Sequence, residues 1–215
     1  MITAALVAMA PCVMAEEKDE VLAAFKGYKE AILTQKGEDA AGWVTKGTIA
    51  EYQRYIDWAL EADRKTVEGL SMINRVQVLT MRHRVPAEDL RKATGKSIFI
   101  HAVKEDWIGK DGVIRTELAD DIAVAGERAT GSVLIGGEPA PLKFHFRKEE
   151  GKWRFDLVEL MTATGPAFEA AAKQAKMEEN ELIMKVLETV SGKKPEESVW
   201  TPVGKVEGEK APASE

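Results

Sequence analysis

Cysteine is almost absent from this 215-residue chain: Cys12 is the only one, so no intrachain disulfide and no cysteine-built metal site can form. Histidine is nearly as scarce. His83, His101 and His145 are the only three, no two of them share the three- or four-residue spacing of helical metal ligands, and no HExxH run occurs, which argues against a metal centre. A phosphate-cradling glycine loop, a dinucleotide fingerprint and a Ser-His-Asp order are also missing. Thr94-Gly95-Lys96-Ser97 lacks the upstream glycine and strand of a P-loop. No apolar run is long enough to span a bilayer as a helix. Basic residues are in deficit, 30 Lys and Arg against 36 Asp and Glu, which argues against a general nucleic-acid binder. There is no internal repeat.

What is present describes an ordinary globular chain. Hydrophobic residues make up 45% and charged residues 31%, enough for one sizeable domain or two small ones. The first fifteen residues, Met1 to Ala15, are apolar and small, and give way abruptly to Glu16-Glu-Lys-Asp-Glu20. This fits the apolar region of a secretory signal with Val13-Met14-Ala15 as cleavage box. The basic residues that usually precede such a region are missing, as they would be if the true start lay upstream. Residues 1–15 are therefore expected to be a leader, and the protein periplasmic or secreted; the alternative is a buried N-terminal segment. Cys12 would leave with the leader, and Met9-Ala10-Pro11 before it is a poor lipobox.

Helices are expected first. Val21, Ala24, Phe25, Tyr28 and Ile32 recur at helical spacing over about 17–35. A linker with Gly42 and Gly47 follows, Trp43-Val44 plugging the core. Thr48 caps a second helix to about Ala62. A third, over about 66–84, is apolar on two sides, which is the mark of a sandwiched helix. Arg75 and Arg82 fall on its remaining strip and are expected to reach solvent, whereas Asn74 and His83 project into apolar arcs and need partners there. Pro86 opens a short helix to Thr94. The run 97–103 reads as either helix or strand, with helix through Trp107 preferred, and Gly109 to Gly112 make a turn.

From Ile114 the period becomes two. Strands are expected over about 117–125, 127–135, 141–149 and 152–161, a curved four-stranded antiparallel meander. Glu150-Gly151 closes its last hairpin, which sets Lys148 opposite Trp153, Phe146 opposite Phe155 and Phe144 opposite Leu157. Leu142, Phe144, Phe146, Trp153, Phe155 and Leu157 then share one face, an aromatic wall that helices must cover. Thr164-Gly165-Pro166 opens a long C-terminal helix over 162–192, with a break allowed by its polar middle, Lys176 to Glu181. Val199-Trp200 is a docked anchor within an otherwise disordered 193–215 tail. The fold class is thus α+β, with the main domain at 16–161.

The hairpin Arg147-Lys-Glu-Glu-Gly-Lys-Trp-Arg-Phe-Asp-Leu157 after a run of helices resembles the NTF2-like superfamily (SnoaL and ketosteroid isomerase-like), in which a curved sheet wraps a long helix. The resemblance covers about 17–161 and implies a cone-shaped cavity. It brings no catalytic residue, because no family Asp, His or Tyr position matches one here; the helix beyond Met161 departs from the pattern. Members include isomerases, dehydratases, ligand carriers and noncatalytic partners, so function stays open.

Candidate chemistry is sparse. His145 faces Asp156 in the hairpin register, either as an oriented imidazole or as a cross-strand pair on a wet face beside Lys143, Arg147 and Arg154. Tyr52 and Tyr55, with Asn74, His83 and His101, are the candidate lining of a ligand cavity; satisfied core groups are the plainer reading. The expectation is an exported, noncatalytic protein without cofactor or metal, which binds a small apolar ligand or a protein partner in the cone. The alternatives are an isomerase or lyase using a buried His or Asp with Tyr, and a structural subunit, for instance a homodimer, assembled through the C-terminal helix. Neither nucleic acid nor a membrane span is expected.

Overall fold

The computed structural model describes residues 10–204, with the backbone alone for residues 10–14. Most of the expected leader, and the tail beyond 204, lie outside the described residues. In chain order the elements are helices α1 (Ala10–Leu33), α2 (Gly37–Trp43), α3 (Lys46–Glu61), α4 (Arg64–Glu68), α5 (Met72–Arg84), α6 (Ala87–Lys92), α7 (Gly95–Lys104) and α8 (Lys110–Ile114), strands β1 (Thr116–Leu118), β2 (Ala123–Ala125), β3 (Arg128–Ile135), β4 (Glu138–Glu149) and β5 (Lys152–Phe155), then α9 (Leu157–Gln174), α10 (Glu179–Ser191) and a 3-10 turn (Glu197–Trp200). The class is α+β, helices first, then an antiparallel sheet curled into a half-barrel, then helix. Two compact units divide the chain: the described residues to Ile49 with Phe99–Ala163, and Ala50–Ile98 with the described residues from Thr164.

The first unit holds the sheet, in the order β1-β3-β4-β5, with β2 also paired to β3. The first expected strand is therefore two short ones that fill a single position. Between them Asp121 turns aside to accept hydrogen bonds from the Ser132 amide at 2.9 Å and the Ser132 hydroxyl at 2.5 Å. The β3–β4 register also shifts between Ser132 and Val133, where β4 carries two extra residues, Pro141 and Leu142, and an irregularity of this kind bends a strand and raises its twist.

The last hairpin pairs Phe146 with Phe155 and Lys148 with Trp153, as the alternation predicts. Glu150 and Gly151 both have positive φ, 53° and 75°, the conformation that matches strand twist in a two-residue loop. Phe144, Phe146, Trp153 and Phe155 are buried, while Leu142 is only half-buried. Helix α1 covers this wall. Phe25 lies 5.3 Å from Phe144 and 6.0 Å from Phe155, and Tyr28 lies 5.1 Å from Phe155, ring centre to ring centre.

The strand expected to run to Met161 stops at Phe155, and helix begins at Leu157. Asp156 makes the switch. Its Oδ1 accepts from the Val158 and Glu159 amides at 3.2 and 3.4 Å, and its Oδ2 accepts from Arg147 Nε at 2.6 Å. The spacing Asp156-x-x-Glu159 is that of a capping box, a helix-start signal that the strand reading passed over. Asp156 meets His145 only through the backbone, its amide donating to the His145 carbonyl at 2.9 Å, because Arg147 holds the carboxylate. The expected His145–Asp156 side-chain pair is therefore replaced by Arg147–Asp156. The expected linker around Gly42 is helix α2, Trp43 is half-buried and Val44 is the residue that reaches the core. Where a turn was expected after Gly109, the short helix α8 begins.

In the second unit the expected third helix is two, α4 and α5, interrupted at 69–71. Asp63 caps α4 by accepting from the Thr66 amide at 2.8 Å. Arg75 and Arg82, expected in solvent, are 8% and 9% exposed. Each is buried because backbone or side-chain acceptors surround it, the condition under which a charge tolerates burial. Arg82 donates from Nε to the Ala59 carbonyl at 2.9 Å, and from its terminal nitrogens to Trp58, Ala62 and Val199 carbonyls at 2.9, 2.5 and 3.3 Å. Trp58 and Ala59 belong to the last turn of α3 and Ala62 follows it, so the guanidinium sits at the negative end of that helix on otherwise orphaned acceptors. Burial pulls its pKa down to about 10, which leaves it a cation at neutral pH. Arg75 reaches Asn180 Oδ1 at 2.6 Å and pairs with Glu179, both at the start of α10.

Val199 and Trp200 are buried, the anchor the sequence implies. Beyond them Val203 and Gly204 donate to the Ala59 and Leu60 carbonyls at 3.2 and 2.8 Å, which fastens the segment to α3. The long C-terminal helix starts earlier than expected, at Leu157, and is broken after Gln174, where Lys176 has φ 54°.

Removing the Asp156 carboxylate (Asp156→Ala) deletes both the cap of α9 and the Arg147 pair. It should cost about 2–4 kcal/mol in urea denaturation, and Asp156→Asn, which keeps an acceptor for the cap, about half of that. Arg82→Met strands several buried carbonyls and should cost about 3–5 kcal/mol by the same measurement; a cost within 0.5 kcal/mol of zero, on the order of an ordinary surface change, would show that the guanidinium does not hold the end of α3.

Candidate functional site

Of the five candidate cavity residues, the structure brings three together in the second unit. Tyr52 and Tyr55, on successive turns of α3, stack edge to face at 5.8 Å. The Tyr55 hydroxyl donates to Asn74 Oδ1 of α5 at 3.3 Å. His83 lies about two and a half turns further along α5, which turns it to the opposite side of that helix, and its Nε2 is 2.8 Å from the Ser191 hydroxyl. His101 belongs to the first unit and stands edge-on to Trp107 at 5.2 Å.

The tyrosine cluster includes a carboxylate that the sequence reading missed. Glu51 is buried, hydrogen-bonded to Tyr55 and ion-paired with Arg54, whose guanidinium lies 5.4 Å from the centre of the Trp58 ring. Its signal was legible: Glu51 is three residues before Arg54 and four before Tyr55, spacings that meet on one helix face. Burial pushes the Tyr52 phenol up to about 12. Tyr55 is raised further, by burial first and then by the Glu51 charge and Tyr52. Both phenols stay protonated at neutral pH, so they donate hydrogen bonds and cannot take up a proton. The cluster is a satisfied polar network.

A different place has the form of a binding site. In the first unit a cleft of about 600 Å³ is walled by Gly27, Glu30, Ala31 and Thr34 of α1, by Lys36 and Glu38, Asp39, Gly42 and Trp43 of α2, and by Lys152 and Arg154 of β5. The α1 positions form one stripe at three- and four-residue spacing. Lys152 and Arg154 arrive because they alternate with Trp153 and Phe155, which face the core. Trp43 lies directly on the α1 backbone: a Cβ at Gly27 would stand 2.4 Å from its ring atom Cε2. Arg154 donates to the Gly42 carbonyl, and its Nε stands 3.7 Å from Glu149, which braces α2 and β5 against each other. The walls carry three carboxylates, three cations and one half-exposed indole. Sequence reading missed this cleft because its residues come from three segments and Trp43 reads as a core plug. Among the described residues no group of three or more His, Cys, Asp or Glu is placed to hold a metal ion, and no helix is long and apolar enough to cross a membrane.

Comparison of the chain with protein-family models, with curated proteins and with solved structures finds no match.

The folded state holds the Tyr52 proton above pH 10, where the unfolded chain releases it. The resulting stabilisation is complete below pH 10 and drains away as the pH climbs towards about 12. The stability of the parent chain relative to Tyr52→Phe should therefore fall across that window, with a limiting slope of about 1.4 kcal/mol per pH unit. Urea melts of the two proteins at successive pH values measure it, and a constant difference would mean that Tyr52 titrates as it does in solvent.

Proposed function

We propose that this chain is a noncatalytic binding protein that seats a short peptide segment of mixed charge, contributed by a partner protein, in the cleft between α1, α2 and β5. The observation that carries the reading is the make-up of that cleft. Its volume, about 600 Å³, lies within the range of small-ligand sites. Trp43 offers a flat apolar face held in place by Gly27, suited to a side-chain stem or a cation. Glu30 and Asp39 match basic groups of the segment, and Lys36 and Lys152 match acidic ones.

Two further observations favour binding over turnover. Among the described residues the two buried carboxylates are committed elsewhere, Glu51 to Arg54 and Tyr55, Asp156 to Arg147 and the α9 cap. The aromatic wall of the half-barrel is filled by Phe25 and Tyr28, so an apolar ligand entering there would have to displace α1. Kinship with NTF2-like proteins rests on the hairpin and the half-barrel, and export rests on the leader-like start.

The test is a titration of the full chain with tri- and tetrapeptides carrying both signs of charge, followed by the Trp43 indole resonance. Dissociation constants on the order of 10–100 μM are expected, weakened several-fold by Asp39→Asn or Lys36→Gln. Gly27→Ala, which drives a methyl into the Trp43 ring, should weaken binding and cost about 1–3 kcal/mol of stability. A chain that retains lipid from a hydrophobic extract, and whose Trp43 responds to no peptide, would sink this reading in favour of a small apolar ligand.

A further inference from the structure

His145 loses Asp156 to Arg147 and stands instead in other company on the outward face of the sheet. Two directly opposed residue pairs lie next to each other there, Arg128 against Arg147 and Thr130 against His145. Paired side chains share a face about 5 Å apart, and the next pair on that face is about 7 Å along the strands. Ala129 and Phe146, which alternate with these positions, are buried, so the four look away from the core. Arg128 is exposed and the other three are half-buried. Two guanidiniums, a hydroxyl and an imidazole thus form the corners of one small square; no corner is itself a carboxylate, although the Arg147 corner is paired with Asp156 and Glu159.

Arginines set directly opposite one another repel. Arg147 is relieved by Asp156, and by Glu159 at 3.3 Å. Arg154, the residue opposite Arg147 on the next strand, is relieved by the Gly42 carbonyl and Glu149. Among the described residues no carboxylate pairs with Arg128, and its repulsion is left standing. Lys143, two residues before His145 on the same face, adds a further cation, with Asp121 as its acidic neighbour.

We propose that this square binds a phosphate group, either free phosphate or a phosphate monoester. The Arg128 fork would take two oxygens side by side, the geometry at which a guanidinium binds phosphate best. The Thr130 hydroxyl and the His145 ring would each donate to a further oxygen. A tetrahedral oxyanion can address several corners at once, whereas a planar carboxylate engages a single fork; this favours phosphate over a carboxylate. The site is separate from the peptide cleft and stands or falls apart from it.

The test titrates the full chain at constant ionic strength with inorganic phosphate, phenyl phosphate and acetate, following the His145 imidazole resonances and thermal unfolding. Phosphate should bind with a dissociation constant on the order of 1 mM, shift the His145 signals and raise the unfolding temperature. Acetate should bind several-fold more weakly. Arg128→Gln should weaken phosphate roughly tenfold, yet unfold no lower than the parent when phosphate is absent, because it removes a repulsion; Thr130→Val, isosteric and equally conservative, provides a second variant. Tighter binding of phenyl phosphate assigns the site to a monoester, and tighter binding of inorganic phosphate to the free ion. Equal affinity for acetate, unchanged His145 signals, or parent-like phosphate binding by Arg128→Gln would each overturn the proposal.

Discussion

Phe155 is the side chain on which the first unit is built. Its ring meets Phe25, Tyr28, Phe144 and Phe146 at centre distances of 6.0, 5.1, 4.8 and 5.3 Å, so helix α1 and the two strands of the last hairpin share a single aromatic contact. Its backbone carbonyl accepts from the Thr45 amide at 3.1 Å, which ties the segment between α2 and α3 to the same point. Packing of this kind is close and specific in shape. Once α1 fills the wall, the alternation of the strand decides what faces the other way, and Lys152 and Arg154 are delivered to the cleft. The residue after Phe155 ends the strand. Asp156 must point its carboxylate at Arg147 and at the first amides of α9, so sheet, helix start and outer-face electrostatics turn on two consecutive residues.

The second unit solves a different problem. Its buried cations are held by acceptors that secondary structure leaves unpaired, and by carboxamide and carboxylate groups from the start of α10. Arg82 collects the carbonyls at the end of α3 together with Val199, and so couples a helix terminus to the 3-10 turn far along the chain. Tyr55, Glu51 and Arg54 form a second internal network on α3. In each case a polar group is buried with its partners, and such networks give a core one arrangement in place of many.

Both proposed binding places lie on outward positions of the same hairpin. The cleft takes Lys152 and Arg154 from β5; the phosphate square takes His145 and Arg147 from β4 and their opposites on β3. The inner face supplies rigidity, and the outer face, free of packing duty, carries the groups available for recognition. This division explains why the buried tyrosines are satisfied core groups, as Tyr55 is with Asn74, while His145 and the charged residues beside it stand on the open face.

The amino-acid sequence determined those features that rest on local periodicity and turn chemistry. The alternation across Glu150-Gly151 sets the hairpin register, the spacing of Val21, Phe25, Tyr28 and Ile32 makes α1 a covering helix, and Val199-Trp200 docks. Capping at Asp156-x-x-Glu159 and the Glu51–Tyr55 spacing are equally local and legible, although the longer strand alternation runs across the first and Glu51 by itself reads as one more charge on an amphipathic helix. Tertiary structure alone decided the rest. A helical wheel shows Arg75 and Arg82 on a polar strip, and cannot show that acceptors from distant segments converge there to make burial favourable. Whether His145 or Arg147 keeps Asp156, and whether α1, α2 and β5 leave a cleft at Trp43, depend on distances between segments far apart in the chain, and no pattern within a single segment encodes those distances.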